Sequence, residues 1–405
     1  MHIFSRAFFV LLVTTGFIFA QQPYTILISF DGFRHDYMDR GITPNLWKIA
    51  NNGVKALSLR PVFPSKTFPN HISIITGMYP ENHGIIANTF YDPVYKETYK
   101  INDSIQVRNA RWYKGEAFWE TAQRNGITAA SFFWPGSEVE LEYRRPRYFK
   151  TYNHELPYTQ RVDGIIKWLQ LPYAERPRFF TIYFDATDSY AHDHGPDSDS
   201  TNYAIALLDS MAGILTSELK KINLLDSTNL IFVSDHGMTN VDKSKYIDVE
   251  AILGDEKVEL WNWGTYCLVQ PQKDRIEEVY SRLKANENHY KVYKKRDVPD
   301  FYHFTNNPLF TDIILITDLG WEAGNTKGKK SFERWDAKGN HGYEKDVMDM
   351  HGYFVAMGPS FKQNFRTGTL WNIDIYPLLC EIYNIPVRNG IDGKSERIRF
   401  VLRKY

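Results

Sequence analysis

Tyr24-Thr25-Ile26-Leu27-Ile28-Ser29-Phe30-Asp31 is the stretch that decides the fold. It is rich in β-branched and aromatic residues, lacks a strict apolar–polar alternation, and stops on a carboxylate. A short, nearly continuous apolar run is the signature of a strand buried on both faces, as in a parallel sheet. Working outward, the same signature recurs. Arg178 to Phe184 leads into Asp185 and Asp188, Leu230 to Ser234 ends at Asp235, and Tyr353 to Met357 ends at Gly358-Pro359. Between these runs lie amphipathic stretches at helical spacing: Pro44 to Asn51, His71 to Gly77, Ala117 to Asn125, Tyr158 to Leu169 and Tyr203 to Leu219. Strands alternating with helices predict an α/β fold with a mostly parallel central sheet flanked by helices. Ligands of such sheets bind beyond the carboxyl ends of the strands. Three of the four runs are followed at once by carboxylates, so chemistry is expected there.

The segment from about 260 to 335 has another texture. Trp261 to Gln270, Tyr290 to Arg296 and Ile313 to Ile316 read as short strands, with a helix over Asp274 to Ala285. This predicts a small α+β insertion within one catalytic domain spanning 21–405. At the other end, His2 and Arg6 precede an apolar run from Ala7 to Phe19 and a small residue, Ala20. That run is shorter than the ~20 residues of a membrane span and has the order of an export signal over 1–20. A secreted or periplasmic protein with no membrane anchor after signal cleavage is therefore expected. The formal net charge is +0, which gives no indication of a nucleic-acid partner. Cys267 and Cys380 sit in apolar stretches, where buried free thiols and a disulfide are both open.

Three clusters carry candidate chemistry. Thr67 stands in Pro64-Ser65-Lys66-Thr67-Phe68-Pro69-Asn70-His71, at or just before a helix N-terminus marked by Pro69. Taken alone it reads as an N-cap. A threonine hydroxyl attacks only once a metal or base takes its proton. Asp188 and His192, four apart, can converge on one ion if the stretch is helical. Asp235 and His236 are adjacent at a strand end and can share one ion only where the chain turns, which Gly237 permits. His341 lies between glycines in Gly339-Asn340-His341-Gly342. With Asp31, these give nitrogen and oxygen donors and no thiolate, a set that suits zinc and is large enough for two ions. Two ions close together can grip both the entering and the leaving oxygen of an in-line phosphoryl transfer.

With these residues in place, the sequence resembles the nucleotide pyrophosphatase/phosphodiesterase family of the alkaline phosphatase superfamily. The resemblance is carried by Pro64 to His71, continuing through Thr76-Gly77-Met78-Tyr79-Pro80-Glu81-Asn82-His83-Gly84 to Asn88. It is carried also by Trp112 to Glu116, Phe133 to Glu138, Asp188 to Pro196 and Ser234 to Met238. It implies an alkaline-phosphatase-like core and two Zn2+ per chain. Asp31, Thr67, Asp235 and His236 would hold one ion, and Asp188, His192 and His341 the other. Thr67 would be the nucleophile. Asn88, helped by the Phe68 N–H, would donate to a phosphate oxygen. Phe68 and Tyr183 match positions that sandwich a nucleobase, and Trp134 and Tyr152 are further wall candidates.

The implied activity is hydrolysis of nucleotide phosphodiester or pyrophosphate bonds to nucleoside 5′-monophosphates. Lysophospholipid or choline phosphodiesters and phosphate monoesters are the alternatives. The chain departs from the family at Ala186-Thr187, Tyr190-Ala191 and His194, none of them an expected ligand. These departures touch substrate choice rather than chemistry.

Overall fold

The computed structural model describes residues 22–405, so the export signal expected over 1–20 lies outside the described residues. Eight strands form the central sheet. In chain order with the other elements used below, the strands are β1 (Tyr24–Phe30), β2 (Val54–Ala56), β3 (Thr89–Asp92), β4 (Glu97–Lys100), β5 (Ala129–Phe132), β6 (Tyr148–Phe149), β7 (Phe179–Phe184) and β8 (Thr228–Val233). They continue as β9 (Val258–Asn262), β10 (Tyr266–Pro271), β11 (Tyr290–Lys294), β12 (Ile313–Thr317), β13 (Phe354–Met357) and β14 (Phe365–Thr367). The helices are α1 (Pro44–Asn51), α2 (Thr67–Thr76), α3 (Phe118–Arg124), α4 (Tyr158–Leu169), α5 (Ala186–His194), α6 (Asp199–Lys221), α7 (Ile276–Ala285) and α8 (Ile375–Tyr383).

The sheet order is β14-β2-β13-β8-β1-β7-β5-β6. Every pairing is parallel except those of β13, which runs antiparallel to both β8 and β2. The sheet is mostly parallel, as expected, and β13 makes it a mixed one. β1 sits at its centre, and all of its residues are buried. Its continuous apolar run has the cause read from sequence, since alternate residues feed two different cores. Ile26, Ile28 and Phe30 pack with Leu230 and Phe232 against α1, α4 and α6. Leu27 packs with Phe179, Ile231 and Val233 against α2, α3 and α8. Fully burying side chains of this size stabilises by roughly 1.5–3 kcal/mol each. A one-residue slip would exchange the two faces at once.

The inserted segment is a four-stranded antiparallel sheet in the order β9-β10-β12-β11. Trp261 to Gln270, expected as a single strand, is a hairpin instead. The chain turns at Trp263-Gly264-Thr265, so Val258 pairs with Pro271 and Leu260 with Val269. One face of this sheet packs on α7, through Val269, Val279, Leu283 and Leu315. The other face, with Tyr266, Leu268, Ile314 and Ile316, packs against Phe63, Ile72 and Phe90 beside the start of α2. Cys267 and Cys380 are buried free thiols in separate cores.

Candidate active site

The carboxyl ends of β1, β7 and β8 converge. Asp31 follows β1 directly, Asp235 follows β8 after Ser234, and Asp188 lies in the first turn of α5, just after β7. Gly32 allows the first and last of these to meet. It has φ +64°, and a Cβ there would lie 2.9 Å from the Asp188 Cα. Any side chain would push α5 away from Asp31. Gly237 has a different reason from the one expected. Its φ is not in the left-handed region, but a Cβ would come within 2.1 Å of the Asp349 carbonyl oxygen. Close approach, not an unusual turn, requires glycine there.

The six expected donors are brought together. Asp188, His192 and His341 form one group whose donor atoms all lie within 4.8 Å of one another, and Asp31, Asp188 and His236 form another. His192 Nε2 and His341 Nε2 lie 3.5 and 3.6 Å from Asp188 Oδ1. His236 Nε2 lies 3.0 Å from Asp235 Oδ2 and 3.4 Å from Asp31 Oδ1. The His236 and His341 rings stack with centroids 3.6 Å apart.

Each imidazole is fixed from behind. Nδ1 of His192, His236 and His341 meets the carbonyl oxygens of Gly339, Gly237 and Ser65 at 2.8, 2.9 and 2.8 Å. A carbonyl only accepts, so each Nδ1 carries a hydrogen, and Nε2 is the nitrogen turned toward the centre. This is the tautomer of a metal-ligating histidine.

The carboxylates are the complement. Asp31 Oδ1, Asp188 Oδ1 and Asp235 Oδ2 are buried without a hydrogen-bond partner. Burial, followed by repulsion from Asp235 and Asp188, raises the Asp31 carboxyl well above its ordinary range. Burial also pushes Asp235 upward, but the His236 and His71 imidazoles beside it outweigh this and hold it low. Burial, with His236, Lys66 and His192 nearby, drives His341 well below its ordinary value, so it stays neutral. Buried carboxylate oxygens without partners, facing imidazole nitrogens, are groups a cation would satisfy, and the donor set fits zinc.

Thr67 is the first residue of α2. Lys66 occupies the cap position with extended backbone and no side-chain cap bond, so the N-cap alternative for Thr67 does not hold. The Thr67 hydroxyl instead lies 3.3 Å from His236 Nε2, at the edge of the donor cluster. Asn88 accepts the Phe68 N–H through Oδ1 at 3.0 Å. That bond engages the Phe68 N–H, so Asn88 Nδ2 is the better placed of the two expected phosphate donors.

A cavity of about 460 Å³ opens beside Thr67, Asp31 and Asp188, walled by Phe68, Trp134, Tyr152 and Tyr183. Tyr183 has a second attachment that sequence reading missed. Its hydroxyl donates to Asp31 Oδ2 at 2.6 Å, and its ring meets His71 edge-on at 5.3 Å. Trp134 is buried and donates to the His71 carbonyl. Tyr152 is 44% exposed, which makes it the freer ring. His71 was also missed as a supporting residue. Its Nδ1 lies 2.9 Å from the Thr67 carbonyl oxygen and 3.3 Å from Asp235 Oδ2, and its Nε2 lies 2.8 Å from Ser29 Oγ. Asp185, at the end of β7, stays out of the cluster, held by buried Arg161 at 3.1 Å.

Residues 25–344 match the family model described as type I phosphodiesterase / nucleotide pyrophosphatase. Human ectonucleotide pyrophosphatase/phosphodiesterase family member 1 is 36% identical over 392 residues, which is 93% of this chain and 42% of that protein. The chain therefore spans less than half of that relative's length. The Xenopus laevis bis(5′-adenosyl)-triphosphatase enpp4 is 36% identical over 368 residues, covering 90% of this chain and 79% of that protein. Among solved structures, inactive murine ectonucleotide pyrophosphatase/phosphodiesterase 5 in complex with AMP superposes with a TM-score of 0.87 at 31% identity, covering 94% of this chain and 100% of that one.

Proposed function

The chain belongs to the type I phosphodiesterase / nucleotide pyrophosphatase family, and on that premise we propose that it hydrolyses nucleotide phosphodiester or pyrophosphate bonds to nucleoside 5′-monophosphates through a phosphorylated Thr67. The observation that carries this reading is the Thr67 hydroxyl, 3.3 Å from His236 Nε2 at the edge of the donor cluster and beside a ring-walled cavity. Asp31, Asp235 and His236, with Thr67, would hold one Zn2+, and Asp188, His192 and His341 a second. When bound, the two ions would acidify the Thr67 hydroxyl and a water and offset charge on the phosphoryl oxygens.

The residues divide the remaining work. Thr67 gives up its proton, which is balanced by the proton that the departing oxygen takes from solvent, and its oxygen bonds to phosphorus. The bond from phosphorus to the leaving oxygen breaks, with the electron pair departing on that oxygen. Asn88 Nδ2 donates to a non-bridging oxygen, where charge accumulates in the transition state. Water then cleaves the Thr67–phosphorus linkage, releasing the monophosphate and returning a proton to Thr67. Phe68 and Tyr152 supply ring faces for the base, and Tyr183 adds its ring edge while its hydroxyl steadies Asp31. An aromatic slot of this kind favours a nucleotide over a simple monoester. The AMP complex of the murine neighbour supports the same class. No helix among the described residues is long and apolar enough to cross a membrane.

The test is turnover of a nucleoside 5′-monophosphate p-nitrophenyl ester by zinc-loaded wild type and Thr67→Ala. The variant is expected to lose at least ~1000-fold in kcat while keeping its melting temperature. Equal turnover by the two proteins overturns the reading.

A further inference from the structure

The loop over 150–157, between β6 and α4, carries Tyr152, the freer ring of the aromatic slot. A ring on a loop makes a poor wall unless something holds it, because a ligand must otherwise arrest it on binding. Arg161, near the start of α4, is wholly buried, and its guanidinium grips two segments at once. Nε donates to the Leu156 carbonyl at 3.2 Å and Nη2 to the His154 carbonyl at 3.3 Å, both in the loop. Nη1 donates to the Tyr183 carbonyl at 2.8 Å and to Asp185 Oδ1 at 3.1 Å, where β7 ends. One side chain thus ties the loop of Tyr152 to the strand end that carries Tyr183. Well-packed apolar side chains of similar volume often stabilise a fold as well as a buried ion pair does. What Arg161 and Asp185 add is a fixed distance between loop and strand.

The pair reaches the Tyr152 ring along two routes. Asp185 Oδ2 lies 3.3 Å from His154 Nδ1, and that nitrogen lies 3.3 Å from the Tyr152 hydroxyl. The Arg161 guanidinium lies 5.2 Å over the Phe133 ring, and Phe133 meets Tyr152 edge to face at 5.2 Å. Phe133 takes φ +59°, a left-handed backbone that a bulky residue rarely adopts, and its ring lines the same cavity. His154 also lines that cavity, yet 60% of its side chain is exposed, so core packing does not account for it.

We propose that His154, mounted on Asp185 and Arg161, is a positioning residue for Tyr152 and thereby selects substrates with a nucleoside on the retained arm. The proposal rests on the diesterase reading of Thr67 given above. A ring set in place before the substrate arrives does not have to be stilled by the base. A retained arm without a base gains nothing from the arrangement. Asp185 stays outside the donor groups, so the set acts on the slot and not on the donors.

The experiment compares kcat/KM for the p-nitrophenyl ester of a nucleoside 5′-monophosphate with kcat/KM for methyl p-nitrophenyl phosphate. The leaving group is the same, and methyl replaces the nucleoside. In zinc-loaded His154→Ala the ratio of the two values is expected to fall about fivefold, through KM rather than kcat. His154→Asn, whose Nδ2 can stand where the imidazole Nδ1 does, should restore most of it. In a Tyr152→Ala background, His154→Ala should move the ratio by less than about twofold, since the ring it positions is gone. Melting temperatures check that each variant folds. A ratio unchanged within about twofold in folded His154→Ala, or a fall carried by kcat, overturns the proposal and leaves the diesterase reading standing. So does an undiminished fall in the Tyr152→Ala background, which would mean that His154 meets the substrate itself. A wild type that cleaves neither ester overturns both.

Discussion

The two sides of the site are built by opposite rules. On the donor side, Asp31, Asp235 and His236 are almost wholly buried, and the histidines of the cluster are pinned through Nδ1 to backbone carbonyls. These groups sit at the ends of strands whose positions two hydrophobic cores fix from above and below. On the cavity side, Phe68 and Tyr152 come from a helix start and a loop, are partly exposed, and meet their neighbours mainly through ring edges. The donor side has one arrangement and little tolerance. The cavity side can vary without disturbing the strands. Chemistry and selectivity are therefore separable, and substitutions should separate them.

The largest expected effect is on the donor side. Stripping metal with a chelator should abolish turnover, and adding zinc should restore it, with far-ultraviolet circular dichroism showing the sheet retained throughout. Activity that survives complete metal removal would break the comparison. Next comes Tyr152→Ala, expected to raise KM for nucleotide substrates about tenfold, the worth of one stacked ring, with metal affinity unchanged. Its counterpart is Tyr183→Phe, which keeps the ring and deletes the bond to Asp31. If Asp31 ligates as proposed, loss of its hydrogen bond should weaken metal affinity by about tenfold, measured by chelator competition, and move KM less. If Tyr183→Phe acted only on KM, that residue would belong wholly to the cavity.

The smallest effect lies beneath α2. His83 is buried, with Nε2 3.0 Å from Ser73 Oγ and 3.2 Å from the Pro69 carbonyl oxygen, while Nδ1 accepts the Ile85 N–H. Burial lowers it to about 3. The folded state thus binds fewer protons than the unfolded one between that value and the ordinary histidine value near 6.5. The His83 contribution to stability is complete above pH ~6.5 and is lost as pH falls toward 3, at up to about 1.4 kcal/mol per pH unit. Denaturant unfolding of His83→Gln should show a pH slope shallower by about one proton in that window.

What was legible in the sequence follows the same division. β1, α1 and α4 lie within the bounds read from periodicity, because burial on two faces or one stripe leaves a local pattern. The donors were legible because strand ends concentrate carboxylates and because i,i+4 spacing on α5 is a local relation. Other features were illegible because they depend on distant parts of the chain. The Tyr183 hydroxyl needs Asp31 across the sheet, and Gly237 needs the Asp349 carbonyl. The turn at Trp263 was hidden because Trp261 to Gln270 is apolar on both sides of a single glycine. The engagement of the Phe68 N–H by Asn88 depends on a loop returning to the helix start, which no residue spacing encodes.

The inserted sheet leaves the core after His236 and rejoins it before His341, so both of its ends are tied to donors while its body is not. A lineage can therefore lengthen, shorten or rewrite that excursion, Trp263 and its hairpin included, while inheriting the donors unchanged. Descendants of one enzyme could in this way come to cut different molecules by the same stroke.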